Sequence, residues 1–264
     1  MRDKILFIER HPHIGVVILN RPEEYNTLST ELMKEIEKVT EEFRDDLETR
    51  VVIFTGAGRH FSAGIDLKDP KHASTIDGPL LARQRHYHIG PRMIKKLTDM
   101  NQITIAAING VALGGAACIA SALDFRIGAE DCKIGYPEIN LGIPLSWVSL
   151  PLCMHLIGPA RAKRMVILGR KENAKTLLEW GFLDKIVPSK NLMQEAMEMA
   201  ETYAAQAPVA AQMVKRSINA IISANDQAFM HMDSDQVLLA QNSIDFKEGI
   251  QAFFQKRTPK FKGD

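Results

Sequence analysis

Short runs of apolar, mainly β-branched residues recur along the first half of the chain and predict buried strands. The runs cover residues 4–9, 14–20, 51–55, 103–108 and about 124–128. Between the second and third runs, a segment that Ser29 or Thr30 can cap has apolar residues at helical spacing: Leu32, Met33, Ile36, Val39 and Phe43. Strands that alternate with helices predict a layered α/β core with crossover connections.

The pattern becomes helical from about residue 147 onward. Predicted helices cover residues 160–169, 173–180, 190–206, 208–223, 226–241 and 243–255, and residues 185–187 are the one strand among them. We therefore divide the chain into an α/β core, residues 1–190, and a helical C-terminal region, residues 191–264. Residues 69–90 show little periodicity and contain Pro70, Gly78 and Pro79, so we predict a mobile loop and the start of a helix there.

Composition and charge narrow the class of protein. The 264 residues are 45% hydrophobic and 25% charged, as in ordinary globular proteins, and the net charge of +1 provides no basic field for a nucleic acid. No segment has the roughly 18 apolar residues of a membrane span, and residues 1–15 do not resemble a secretory signal. Cys118, Cys132 and Cys153 form no CxxC pair, which predicts free thiols in a reducing compartment. We expect a cytoplasmic protein, or an organelle matrix protein if the chain is processed.

Two glycine-containing turns, residues 55–67 and 109–118, each follow a predicted buried strand. In the second turn, Gly114 and Gly115 precede a predicted helix that ends near Ala122. The start of a helix presents unpaired amides and a partial positive charge, which suit a developing negative charge. Close packing of a helix on the sheet is the alternative explanation. Neither turn has the spacing of a Rossmann or phosphate-binding loop, and no GxSxG motif occurs.

Several short segments in a fixed order together resemble the enoyl-CoA hydratase/isomerase (crotonase) family, from about residue 5 to residue 260. These segments are Asn20-Arg21-Pro22 with Asn26, residues 61–67, residues 106–110, residues 113–115, residues 135–138 and residues 141–144. The resemblance implies an α/β fold: a spiral core of ββα units and a C-terminal helical region that forms trimers, often paired into hexamers. It also implies an acyl-CoA substrate and no separate cofactor, because coenzyme A is part of the substrate.

The resemblance assigns roles to individual residues. Members of the family bind the thioester oxygen with two backbone amides, which by position are those of Ile65 and Gly115, and Glu138 matches a catalytic glutamate. Two such donors stabilise an enolate, and one can contribute roughly 3 kcal/mol. A glutamate in an apolar cleft has a raised pKa, as proton transfer requires, whereas an ordinary surface carboxylate is the alternative. Candidate residues for binding substrate and coenzyme A are Ala63, Asp66, Leu67, Lys68, Gly114, Trp147, Phe253 and Lys256. For Lys68 and Lys256, solvated surface charge is the alternative.

Two features depart from the hydratases of the family. Cys118 stands where those enzymes carry a second glutamate, 20 residues before Glu138. The thiol could be activated by the helix start as a nucleophile, or it could be a small apolar residue in the pocket wall. After Gly142, the bulky segment 144–148 with Trp147 replaces a glycine-rich stretch and resembles that of the single-glutamate isomerases. Bulky residues beside the acid leave less room for an ordered water; the alternative is that Trp147 is an ordinary core residue of a helix.

Three hypotheses follow. In the first, Glu138 alone moves the double bond of an enoyl-CoA; in the second, the protein hydrates an unusual enoyl- or dienoyl-CoA; in the third, it binds acyl-CoA without catalysis. The histidines at positions 86 and 88 have no acidic or thiol partner that would complete a metal site, so we expect none. The sequence leaves open the acyl group, the choice between isomerase and hydratase, and the choice between trimer and hexamer.

Overall fold

The computed structural model describes residues 4–76 and 78–264. Its strands are β1 Leu6–His11, β2 Ile14–Leu19, β3 Val51–Gly56, β4 Ile103–Ile108, β5 Val111–Leu113, β6 Phe125–Ala129, β7 Lys133–Gly135, β8 Glu172–Asn173 and β9 Lys185–Val187. Its α-helices are α1 Thr30–Arg44, α2 Pro70–Ile76, α3 Leu80–Tyr87, α4 Ile89–Thr98, α5 Gly115–Ala122, α6 Ser149–Ile157, α7 Pro159–Leu168, α8 Ala174–Trp180, α9 Leu192–Ala204, α10 Pro208–Ile222, α11 Asp226–Met230, α12 Asp233–Ala240 and α13 Ile244–Gln255. Short 3-10 helices cover Pro22–Glu24, Pro137–Leu141 and Ser189–Asn191.

The strands form two sheets. The larger sheet has the order β1-β2-β3-β4-β6-β9, in which β1 is antiparallel to β2 and all other neighbours are parallel. The smaller sheet has the order β5-β7-β8. All six residues of β3 are buried, as expected for a central parallel strand that is covered on both faces. This α/β architecture with C-terminal helices is the predicted fold class.

The predicted strands of the core are confirmed to within two residues, and so is the first helix. Ser29 caps α1 by accepting a hydrogen bond from the Leu32 N–H group. The five apolar residues predicted to face the core are all buried. Hydrophobic periodicity and a capping residue are therefore sufficient to place this helix.

The prediction for residues 69–90 is wrong in most of its length. The segment holds α2, α3 and the first two residues of α4, although residue 77 lies outside the described residues. α3 is amphipathic only weakly and has no buried residue, so its sequence lacks the apolar periodicity that predicts a helix. Its conformation is supported by neighbours such as α12, which packs against it.

The second half of the chain is mostly helical, as predicted, with three corrections. α6 was not predicted, the helix expected over residues 226–241 is divided into α11 and α12, and β8 is a second strand in this half. β8 is only two residues long and pairs with β7, which explains why no alternating pattern marks it. Within the described residues, no helix combines the length and apolarity needed to cross a membrane.

The hydrophobic core continues beyond residue 190. α9 places Ala196, Ala200 and Ala204 in it, and the helix packs against β3, β4 and β6. Residues four apart lie on one face of a helix, so these alanines let α9 approach the sheet closely. The domain boundary predicted at residue 190 would therefore separate α9 from the sheet on which it packs. The helices outside the core begin with α10.

Candidate active site

The two predicted turns lie side by side in the structure. Ser62 and Ala112 form a parallel bridge, and the Leu113 N–H group donates to the Ser62 carbonyl oxygen at 3.2 Å. Gly64 has φ +92°, and a Cβ atom on it would lie 2.5 Å from the Leu113 carbonyl oxygen and 3.7 Å from the Gly115 nitrogen. Glycine is therefore required here for its backbone conformation and for the close approach of the turns.

Two asparagine side chains fix the conformation of the first turn. Asn26 is fully buried, and its Nδ2 atom donates to the carbonyl oxygens of Ala57 at 2.9 Å and His60 at 2.7 Å. Asn109 donates in the same way to the carbonyl oxygen of Gly56 at 2.8 Å. These bonds satisfy backbone oxygens of the loop, so they fix a segment that has no regular secondary structure.

The amides of Ile65 and Gly115 have no backbone hydrogen-bond partner among the described residues. Gly115 is the first residue of α5, where amides have no partner within the helix, and Gly114 precedes it with φ +54°. The neighbouring Leu28 N–H donates to the Gly64 carbonyl oxygen at 2.8 Å, which fixes the peptide that ends at Ile65. Two adjacent unpaired amides are the donors that an oxyanion requires.

Glu138 lies beside Gly114, the residue that precedes the Gly115 amide. It is in the first turn of the 3-10 helix Pro137–Leu141, and its Oε1 atom is 3.1 Å from where a Cβ atom on Gly114 would lie. The helix is supported from behind by α13, because Gly249 is in close contact with Leu141. The structure therefore places the predicted glutamate next to Gly114, at the start of α5.

Burial raises the pKa of Glu138 to about 7, while a hydrogen bond from its own backbone amide opposes the rise. Its Oε2 atom is buried without a hydrogen-bond partner within the part of the chain that the structure describes. An unpaired buried carboxylate oxygen is unfavourable unless it serves a ligand. Because burial brings its pKa near neutrality, Glu138 can both accept and donate a proton near neutral pH.

Trp147 forms a wall of the site. It is 8% exposed, and its ring lies between Gly90 and Gly115. A Cβ atom would lie 2.5 Å from Trp147 Cδ2 if placed on Gly90, and 2.6 Å from Trp147 Cη2 if placed on Gly115. Trp147 belongs to the turn before α6 and not to a helix. The ring occupies space next to the free amide of Gly115, in line with the predicted loss of room for water.

Cys118 lies in α5, one turn after Gly115, and is 1% exposed. Burial raises the pKa of its thiol well above the usual value, and the charges of Glu138 and Asp233 add to this, whereas a hydrogen bond with Ser149 opposes it. The helix start does not produce a reactive thiolate under these conditions. The structure therefore favours the interpretation of Cys118 as a small residue of the pocket wall.

The first turn also contains the residues predicted to bind coenzyme A. Ala63 and Leu67 are partly buried next to Ile65, and Lys68 is exposed. The carboxylate of Asp66 is already paired, because it accepts from Arg21 at 2.9 Å and from the Lys68 N–H at 3.0 Å. Asp66 thus shapes the turn in this structure.

Phe253 and Lys256 lie at the end of α13, and both are exposed. Lys256 has φ +54° and ends the helix. The structure of the single chain leaves these two side chains in solvent and does not bring them together with Glu138.

Sequence reasoning missed one acid near the site. Asp233, at the start of α12, is 5% exposed and accepts a hydrogen bond from the Val148 N–H at 3.0 Å. Burial raises its pKa to about 6, opposed by hydrogen bonds from the backbone of Val148 and Trp147. In the sequence it looks like any acid in the first turn of a helix, so no local signal distinguishes it.

A second polar cluster lies on α2 and α3. His72 Nδ1 is 3.0 Å from His86 Nε2, and burial lowers the pKa of His72 to about 4. Within residues 4–76 and 78–264, no group of three or more histidine, cysteine or acidic side chains is arranged to hold a metal ion.

Comparisons with known proteins agree with this geometry. The family model for enoyl-CoA hydratase/isomerase matches residues 9–264. The short-chain-enoyl-CoA hydratase of Clostridium acetobutylicum is 31% identical over 96% of this chain and 95% of its own length. The 1,2-epoxyphenylacetyl-CoA isomerase of Escherichia coli is 30% identical over 97% of this chain and 98% of its own. The crystal structure of an enoyl-CoA hydratase from Bacillus anthracis matches with a TM-score of 0.78 at 32% identity, covering 99% of this chain and 100% of that one.

Proposed function

The chain belongs to the enoyl-CoA hydratase/isomerase (crotonase) family, whose enzymes act on coenzyme A thioesters, and on this premise we propose that it moves the double bond of a 3-enoyl-CoA. The observation that carries the proposal is the state of the Glu138 carboxyl group. Its Oε2 atom is buried and has no hydrogen-bond partner among the described residues, and desolvation raises the pKa of the group to about 7. Position 118, where family hydratases have their second acid, holds a buried thiol.

The proposed reaction needs one carboxylate. Glu138 removes a proton from C2 of the substrate, and the electron pair moves toward the thioester oxygen to form a dienolate. The amides of Ile65 and Gly115 donate hydrogen bonds to that oxygen, where the negative charge develops. Glu138 then returns the proton to C4, so the double bond ends between C2 and C3 and no atom is gained or lost. A pKa near 7 suits a group that must act first as base and then as acid.

The positions of the Ile65 amide and Glu138 also suggest how coenzyme A would bind. We expect the turn that carries Ala63, Leu67 and Lys68 to bind the nucleotide end, because it continues directly from the Ile65 amide. Trp147 and Gly114 would contact the acyl group, which lies between the amides and Glu138. Phe253 and Lys256 would act only if an adjacent subunit brings the end of α13 to this turn. The proposed chemistry needs no metal and no cofactor apart from the coenzyme A of the substrate.

Hydration of an enoyl-CoA is the second candidate. The name of the Clostridium acetobutylicum relative favours it, since that protein is a short-chain-enoyl-CoA hydratase. The reaction requires a water held and activated at C3, in addition to a proton at C2. The Trp147 ring beside Gly115 and the thiol at position 118 both work against such a water.

The decisive experiment follows turnover by mass spectrometry in water enriched in heavy oxygen. The substrates are 3-hexenoyl-CoA and crotonyl-CoA. We expect conversion of 3-hexenoyl-CoA to the 2-enoyl isomer without incorporation of heavy oxygen. Heavy oxygen in a product of crotonyl-CoA, with no isomerisation, would replace the proposal with a hydratase.

A further inference from the structure

A helix of the C-terminal region reaches back to the wall of the proposed active site. Asp233 is in the first turn of α12, and its Oδ2 atom accepts a hydrogen bond from the Val148 N–H at 3.0 Å. The two residues are 85 positions apart in the sequence. The contact therefore joins two elements that local sequence does not connect.

The turn that Asp233 contacts has an unfavourable backbone. Trp147 and Val148 have φ +64° and +57°, so two consecutive residues that are not glycine occupy the left-handed region. A β-branched residue such as Val148 rarely adopts this conformation, which persists only where surrounding contacts impose it. A carboxylate that accepts from the amide of the strained residue is such a contact.

The turn also has little support on one side. The Trp147 ring packs against Gly90 and Gly115, whereas Val148 lines a cavity of about 1240 Å³ between α4 and α10. Open space beside Val148 would let the turn relax away from the glycines. Asp233 opposes this movement because it is itself fixed: the adjacent Ser234 donates to the Tyr87 carbonyl oxygen, and α12 packs on α3.

We propose that Asp233 is a positioning residue, which holds the Trp147–Val148 turn so that the Trp147 ring stays against the oxyanion-binding glycine Gly115. The ring then fixes the acyl group between the Ile65 and Gly115 amides and Glu138. Asp233 acts through its acceptor oxygen and takes no part in proton transfer. This inference rests on the proposed function only for its effect on turnover.

Three variants test the role. The chain has two tryptophans, so each variant also carries Trp180→Phe, which leaves Trp147 as the single source of tryptophan emission. Asp233→Ala removes the acceptor. Asp233→Asn keeps an acceptor oxygen in a side chain of equal size but cannot titrate. Asp235→Ala removes an exposed acid from the same first turn of α12, and so controls for the effect of charge at the helix start.

We expect the emission of buried Trp147 to shift to longer wavelength in Asp233→Ala, with a fall in kcat/KM of about tenfold or more, since small displacements of positioning groups have large effects. Asp233→Asn and Asp235→Ala should keep the emission and stay within about threefold of the parent, because neither loses the contact with Val148. Circular dichroism tests whether each variant is folded.

Two outcomes would overturn the inference. Unchanged Trp147 emission in folded Asp233→Ala would show that the residue does not hold the ring. Loss of turnover in Asp233→Asn with unchanged emission would make Asp233 an acid that transfers protons. If Asp233→Ala does not fold, the Asn variant alone decides, because it must retain both emission and turnover. Emission is independent of the reaction catalysed, so failure of the proposed isomerisation is distinguishable from failure of this inference.

Discussion

Glu138 owes its proposed role to its surroundings. The pKa of a solvated glutamate lies near 4.5, far below the pH at which it could return a proton efficiently. Here burial brings the value to about 7. The same burial leaves Oε2 without a partner among the described residues, so the carboxyl group is placed to meet a substrate.

Replacing Glu138 with glutamine tests this role directly. Glutamine has the same shape but does not accept a proton, so kcat should fall by about 10²- to 10⁴-fold, the usual contribution of general acid–base catalysis. Calorimetry with butyryl-CoA, which has no double bond to move, should show a Kd close to that of the wild type. Turnover of Glu138→Gln at the wild-type rate would show that Glu138 does not take part in the reaction.

The raised pKa predicts opposite effects of pH on activity and stability. The base must be ionised, so kcat/KM should increase as pH rises through about 7. The protonated carboxyl group is favoured in the folded state, so its contribution to stability is complete below the unfolded pKa near 4.5 and is lost as pH rises toward 7. Denaturant titrations from pH 5 to 8 should therefore show a fall in the wild type that is reduced in Glu138→Gln. Equal pH dependence in the two proteins would contradict the assigned pKa.

Cys118 is expected to be replaceable. Its buried thiol is mostly protonated at neutral pH, so Cys118→Ala should keep kcat/KM within about threefold and lose about 1 kcal/mol of unfolding free energy, as for a small core truncation. Steady-state kinetics and urea unfolding measure the two quantities. A loss of activity above about tenfold in a folded variant would instead indicate a chemical role.

Secondary-structure elements determine how closely the two turns approach. Gly64 and Gly115 look equivalent in the sequence, but their neighbours differ. A side chain on Gly64 would meet the backbone of Leu113, whereas one on Gly115 would meet the side chains of Trp147 and Leu28. Side chains can be shortened by mutation, and backbone cannot.

This difference gives a prediction at the scale of the turns. Gly115→Ala should lower kcat/KM by about tenfold or more, but the same change in a Trp147→Leu background should have less than about a threefold effect, because the clash with the ring is gone and only the end of the Leu28 side chain, at 3.1 Å, must move. Gly64→Ala should impair both backgrounds alike, since φ +92° and the Leu113 carbonyl oxygen remain. Kinetics of the four combinations measure the coupling. No coupling between Gly115→Ala and Trp147→Leu would show that the ring does not lie where it is described.

Exposed apolar side chains on α10 are relevant to the oligomeric state of the protein. Val209, Met213, Ile218 and Ile221 are more than half exposed on this one helix. Val209 and Met213, four residues apart, lie on one face of the helix, whereas Ile218 lines the cavity between α4 and α10. Exposed apolar side chains that group together are typical of association surfaces. We propose that α10 contributes to a homotrimer or homohexamer, as the resemblance to the crotonase family implies.

Light scattering after size exclusion tests the assembly. We expect three or six chains for the wild type and a smaller species for Met213→Glu or Ile221→Glu, because a buried unpaired charge disfavours an interface. Leu47→Glu is the matched control, since Leu47 is an exposed apolar residue far from α10 in the sequence. A monomeric wild type, or an unchanged mass in both α10 variants, would contradict the proposal.

Local patterns in the sequence determined the elements and the chemistry that they offer. The strands of the core, the capped α1 and the glycine turns were predictable because burial periodicity, capping and positive φ depend on neighbouring residues. Ordered motifs also pointed to Glu138, Ile65 and Gly115, and the structure places Gly64 near the Gly115 nitrogen and Glu138 near Gly114. α3 escaped prediction because contacts with other elements support it and its own pattern does not.

Only the tertiary structure determined the pKa values and the conformations of the residues at the candidate site. The pKa of Glu138 depends on how much water the assembled fold excludes, and desolvation is a property of atoms that meet in space. The conformation of Trp147 and Val148 depends on Asp233, an acid that the sequence places far away and marks only as the start of a helix. Burial also raises the pKa of the Cys118 thiol, and this effect outweighs that of the helix start beside it.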